Sequence, residues 1–289
     1  MGTDGRRRDP PGCGAGRQVF AGAALGAPRA APAQAPHPPG RSSVQIDLLG
    51  GFRLLVADVP VPVPAASERL LAFAALHRHA MPRAFVAGTL WPETSDCRAL
   101  ANLRSVLARL GISGRSALEI RPGEICLAQR VAVDLHRARE LALHVLDPAT
   151  PGEDLGPAGL GLTGLPLELL PGWYDDWILA EAENWRQLSL QTLEVLSGKL
   201  VRARQFAGAV TAASAAVRAD PLRESAQAAL VRAHLAEGNQ SEAVRAFRRY
   251  ECLLRDELGL RPTALLSGLV TGLCGDPHPG VGGAVGRGR

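Results

Sequence analysis

Residues Val44-Gln45-Ile46-Asp47-Leu48 alternate apolar and polar side chains, the two-residue period of a half-buried strand. After Gly50-Gly51 the run Phe52-Arg53-Leu54-Leu55-Val56 predicts its hairpin partner. Val61 and Val63 stand between prolines, which allows only a short edge strand. The period then lengthens. Leu70, Leu71, Phe73, Ala74 and Leu76 predict a helix capped by Ser67. A short helix after Pro82 has Phe85, Val86 and Leu90 as its apolar positions and stops at Pro92. A third helix starts at Ser95 or Asp96 and ends at Gly111. Two β runs, 117–120 and 125–127, flank the turn Arg121-Pro122-Gly123-Glu124 and predict a hairpin.

Small sheet, three helices and hairpin, in that order, describe a winged helix-turn-helix. On the third helix Leu100, Leu103, Val106, Leu107 and Leu110 share one stripe at about 100° per residue. Arg98, Asn102, Ser105 and Arg109 fall on the other side, with Arg104 on the flank. Those are residue types that read base edges in a major groove: Arg forks onto guanine, Asn onto adenine, and Ser bonds to either. Arg115 and Arg121, beside the hairpin, are candidates for phosphate oxygens, which position a protein without specifying a sequence. A solvated polar face, which every surface helix has, is the other reading of the same residues.

From Leu167 to Gly268 amphipathic helices follow one another with short breaks. Ala209, Ala213 and Ala216 recur 34 positions later as Ala243, Phe247 and Tyr250, and Gln205-Phe206 recurs as Asn239-Gln240. That spacing is the tetratricopeptide period, and small residues there let paired helices approach closely. Asp220-Pro221 closes the first unit, while Arg255 stands at the equivalent place in the second. Two units fall short of the three or so that such stacks need, so a helix at 135–146 or one around Trp173, Trp177 and Trp185 is expected to complete it. Pro and Gly interrupt every pattern between 147 and 166. Residues 1–41 and 271–289 are rich in Gly and Pro, lack a period, and read as disordered tails. The expected fold is mainly α with a small β component: a winged helix-turn-helix domain followed by a tetratricopeptide-like α-helical repeat domain.

Composition narrows the function. No run of apolar residues is long enough to span a bilayer. Five cysteines without a C-x-x-C argue for reduced thiols and a cytoplasmic protein. Arg6-Arg7-Arg8 before Val19–Ala27 outlines a signal peptide, but Gly22 and Gly26 break the apolar stretch. Of the net charge of +4, residues 1–41 contribute +4, residues 42–134 +2, residues 135–270 −3 and the rest +1. A basic half before a mildly acidic one is a weak electrostatic footprint of nucleic-acid binding.

Pro82-Arg83, Leu90-Trp91-Pro92-Glu93 and Ala101-Asn102-Leu103-Arg104-Ser105 resemble the DNA-binding half of the Streptomyces antibiotic regulatory protein (SARP/AfsR) family. The run 169–177, Leu-Leu-Pro-Gly-Trp-Tyr-Asp-Asp-Trp, is similar to the opening of that family's bacterial transcriptional activation domain. Residues 219–225, 234–239 and 254–262 resemble its later signatures. The resemblance covers about 44–270 and implies an OmpR-type winged helix over 42–134, a helix and linker over 135–166, and a tetratricopeptide-like activation domain over 167–270. It implies a promoter-binding activator that self-associates on tandem repeats and recruits RNA polymerase to genes such as secondary-metabolism clusters. Arg83, Arg104, Arg115 and Arg121 are the expected phosphate contacts. Where the family often carries a longer basic helix end, this chain has Gly111-Ile-Ser-Gly-Arg-Ser. It also has no G-x-x-x-x-G-K-[ST], because Gly198-Lys199 is followed by Leu200.

Other motifs carry less. Gly159-x-Gly161-x-x-Gly164 matches a dinucleotide fingerprint in letters, but Gly156-Pro157 and Pro166 replace the strand and helix it needs. His77-x-His79 suits a strand ligand pair better than a helix end. Asp175 and Asp176 fit the N-terminal charge of a helix. The tryptophans at 173–185 read as core. No catalytic constellation and no cofactor or metal site emerges, so no enzyme is expected. The competing reading is a protein-interaction adaptor whose degenerate winged helix no longer binds DNA.

Overall fold

In this computed structural model residues 44–155 and 165–273 are described. The expectations for residues 1–41, for Gly159–Gly164 and for all but the first residues of the final tail lie outside them.

The first half opens on a hairpin of β1 (Val44–Asp47) and β2 (Arg53–Val56), with Gly50 and Gly51 supplying the positive φ of its turn. The edge strand is β3 (Val59–Pro60), not Val61 or Val63. Ala57 and Asp58, both left-handed, close a two-residue turn that places it earlier than expected. Helix α1 (Ala65–Leu76) begins behind Pro64, so Ser67 is not its cap but a buried first-turn residue. Strand β4 (Met81–Pro82) leads into α2 (Arg83–Leu90) and α3 (Asp96–Arg109). A short α4 (Ile112–Ser116) precedes the hairpin of β5 (Leu118–Arg121) and β6 (Glu124–Leu127). β4 pairs with β6, so the wing is a three-stranded sheet. β7 (Ala132–Val133) then returns to lie parallel to β1. The core is Leu-, Val- and Ala-rich, as the low aromatic content requires, with Ile46, Leu54, Leu70, Leu71, Phe73, Leu90 and Leu103 fully buried. Phe85 departs from expectation. It is 50% exposed, with its ring near Phe73 and His77 at the rim of the core.

Helix α5 (Asp134–Leu146) starts where β7 ends, and Asp134 fixes the junction. Its carboxylate accepts from the backbone N–H groups of Leu48 (2.9 Å) and Leu49 (3.0 Å). Burial pushes its pKa up, against the lowering effect of those bonds. A 3-10 turn (Gly152–Leu155) follows, then α6 (Asp176–Arg202), α7 (Phe206–Ala219), α8 (Glu224–Glu237), α9 (Gln240–Leu258) and α10 (Ala264–Val270). The 34-residue repeat is real in space. Ala209, Ala213 and Ala216 are buried, and so are Ala243, Phe247 and Tyr250. The caps Gln205 (φ −93°, ψ 64°) and Asn239 (φ −92°, ψ 67°) share a conformation. Asp220 and Pro221 end α7, whereas Arg255, where the proline is missing, lies inside α9, which runs on to Leu258. α5 and α6 supply the missing pair.

Residues 165–175 do not form the helix expected from Leu167. They make a strap on the first sheet: Leu169 bridges Leu49, Gly50 N–H donates to the Glu168 carbonyl at 2.7 Å, and Leu170 N–H to the Leu48 carbonyl at 2.9 Å. Phe52, Trp173, Trp177 and Phe73 follow one another at ring-centre distances of 6.4, 6.4 and 5.1 Å. Trp185 is buried, its indole N–H donating to the Leu167 carbonyl at 2.8 Å. Trp185 is thereby part of the core, while Trp173 and Trp177 are half-buried and pack against its edge. Asp175 stands at the start of α6 without capping it; its carboxylate accepts from Arg69, which also donates to the Leu90 carbonyl.

Lys199, the chain's one lysine, is buried in α6. Its ammonium donates to the carbonyls of Asp147 and, at 2.9 Å, Thr150, satisfying the chain as it leaves α5. Gly152 packs so closely that a Cβ there would run into the Lys199 carbonyl. Lys199→Met keeps the stem's volume but orphans both carbonyls. It is expected to cost about 2 kcal/mol in urea unfolding, with the m-value unchanged.

Candidate nucleic-acid interface

Helix α3 is held by one face. Ala99, Leu103, Val106 and Leu107 are buried, and the helix packs on α1 and α2. Leu110, just past its end, is buried too, while Leu100 is half-buried at the edge. Asp96 in the first turn and Arg109 in the last both favour the helix dipole. Arg98, Ser105 and Arg109 are exposed, and Asn102 is half-buried. Arg104 is exposed as well. The Ser105 hydroxyl donates to the Ala101 carbonyl at 3.0 Å. It must exchange that bond to reach a base.

The wing packs on α1, α2 and α4. Gly123, with φ +80°, makes the turn. Arg83, at the start of α2, is committed to it: its backbone N–H donates to the Gly123 carbonyl at 2.9 Å and its Nη2 to the Arg121 carbonyl at 3.2 Å. Arg121 pairs with Glu119 at 2.9 Å. Both are about half exposed, so the pair contributes little to stability, on the order of 1 kcal/mol or less. Glu119 also accepts from Cys126 Sγ at 3.5 Å, and burial and then that carboxylate raise the Cys126 thiol pKa, keeping it protonated. Arg115 is exposed on α4, beside Ile112 and in the place of the longer basic helix end. The site thus leaves Arg98, Ser105 and Arg109 accessible on one side of α3 with Arg104 exposed on the flank, engages Arg121 with an acid, and uses Arg83 to hold the wing. The Glu119–Arg121 pair was missed in the sequence, although residues two apart on a strand share a face. Among the described residues no group of His, Cys, Asp and Glu is arranged to hold a metal ion. None of the described helices is long and apolar enough to cross a membrane.

Residues 133–273 match the family described as bacterial transcriptional activator domain. The match begins just before α5, so it takes in the helix that sequence analysis had set with the linker. The chain is 30% identical over 239 residues to the regulatory protein AfsR of Streptomyces griseus, covering 78% of this chain and 24% of that one. It thus spans about a quarter of that relative's length. Its fold is similar to that of Mycobacterium tuberculosis EmbR, solved in complex with a low affinity phosphopeptide. That likeness has a TM-score of 0.56 and 21% identity, and covers 79% of this chain and 64% of the other.

Proposed function

We propose that the chain is a SARP-family transcriptional regulator, an activator that binds promoter DNA through α3 and the wing, a reading supported by the match to the bacterial transcriptional activator domain and the likeness to AfsR. The observation that carries this is the uncovered polar face of α3, with three exposed arginines and a serine on a helix anchored from behind. Arg98, Ser105 and Arg109, with Asn102 at the edge, face bases in the major groove. Arg104, Arg115 and Arg121 face phosphates, and Arg83 sets the height of the wing. The domain from 42 to about 133 reads DNA. The helical stack that follows offers the surface for RNA polymerase and for a second copy on tandem repeats.

A gel-shift titration on fragments from the chain's own genomic neighbourhood tests this at two salt concentrations. Affinity should fall steeply with salt, because released counterions drive phosphate contacts. No salt-dependent binding to any fragment overturns it and leaves the adaptor, which the acid-engaged Arg121 favours. Glu119→Gln frees Arg121 toward phosphate. It is expected to tighten binding and steepen the slope of log affinity against log salt by about one unit.

A further inference from the structure

Between the strap, α6 and the end of α7 lies a cavity of about 510 Å³. Its volume is in the range of small-molecule sites. The floor is apolar: Trp173, Ala182, Trp185 and Ala215, with Leu167 and Leu179 at the mouth. Those two leucines are 43% and 48% exposed, so apolar surface faces water at the opening. The charged lining is mixed. Glu168 and Glu183 face Arg186 and Arg218, two acids against two cations. Arg186 is already spent, bonded to Glu183 at 2.9 Å and to Asp220 at 2.8 Å. The indole N–H of Trp185 is committed to the strap. With Asp220 on Arg186 the cluster has three acids against two cations, so an anion finds no net positive field there, and the apolar floor offers a cation no paired acid.

We propose that this cavity binds a neutral, mainly apolar small molecule containing a ring system, stacked against the indole of Trp173. The aromatic wall suits a flat partner, and the rim, whose arginine is already paired with acids, admits hydrogen-bonding groups at its edge but attracts no anion. The occupant touches residues 166–173, the same strap that β1 and the β1–β2 turn hold by backbone hydrogen bonds. It therefore braces the connection between the two halves of the chain. None of this depends on DNA.

The probe is N-phenyl-1-naphthylamine, a neutral dye that brightens in apolar sites, titrated into the full chain. Saturable one-to-one binding is expected, with quenching of tryptophan emission as the dye fills. Its sulfonated analogue, 8-anilinonaphthalene-1-sulfonate, should bind about tenfold more weakly, because its charge gains no compensating field. Ala182→Phe fills the floor and should weaken the neutral dye by about tenfold or more through steric exclusion. Leu179→Glu changes only an exposed residue at the mouth, so it folds normally and should weaken the dye as well. Unsaturable binding, or binding untouched by both variants, overturns the proposal in favour of surface adsorption. Tighter binding of the sulfonate overturns the neutral-ligand assignment. An absence of dye binding overturns it too.

Discussion

Replacing Arg98 and Arg109 together by alanine is expected to remove sequence-specific DNA binding. Each guanidinium, forked onto a guanine, contributes about 1–3 kcal/mol of discrimination. The two are eleven positions apart on α3, or about 16 Å along its axis, far enough for their effects to add. Affinity for a cognate fragment should therefore fall by about a hundredfold or more. Both side chains are exposed and neither packs in the core, so the melting temperature should stay within about 2 °C of the parent. The salt slope tells the role apart. If the arginines read bases, it stays nearly constant; if they contact phosphates, it falls by about two units. Arg232→Ala, exposed on α8, is the control and should leave specific binding intact. Unaltered affinity in the double variant would refute the assignment of α3 as the recognition helix.

Trp185→Ala is expected to produce the largest loss of stability. The indole is 1% exposed, so its removal opens a cavity that costs about 3–5 kcal/mol. It also leaves the Leu167 carbonyl without its donor. For a domain of this size the melting temperature should drop on the order of 10 °C, read by circular dichroism. Tyr174→Ala, at 80% exposed, should change it by less than about 2 °C. Equal effects of the two would mean that the strap is not seated on α6 in solution.

The elements that could be read from the sequence are those whose information is local. The stripe on α3 needed only the helical period, and the Arg121–Glu124 turn announced the wing. The repeat was legible because the same positions are buried again 34 residues later, small in the first unit and, at two of the three, aromatic in the second. What escaped was set by distant pairing or by unusual backbone. β7 joins β1 across more than eighty residues, and β4 has meaning only against β6. β3 was misplaced because Ala57 and Asp58 adopt left-handed conformations that their residue types do not advertise. The strap was mistaken for helix because its leucines are buried by a sheet and by α6 rather than by a helical neighbour. At the interface, the residues of α3 were legible as a face. The commitment of Arg83 to the wing depended on β4–β6 pairing and could not be seen.

The seclusion of Lys199 reaches into how the molecule can be handled. Its ammonium lies sealed behind two carbonyls, and every other strongly basic side chain is a guanidinium. Amine-directed dyes and cross-linkers will not reach the Lys199 ammonium on the folded chain. Arginine-selective dicarbonyls such as phenylglyoxal will do the reverse and label the many exposed guanidiniums, those of Arg98, Arg104 and Arg109 among them.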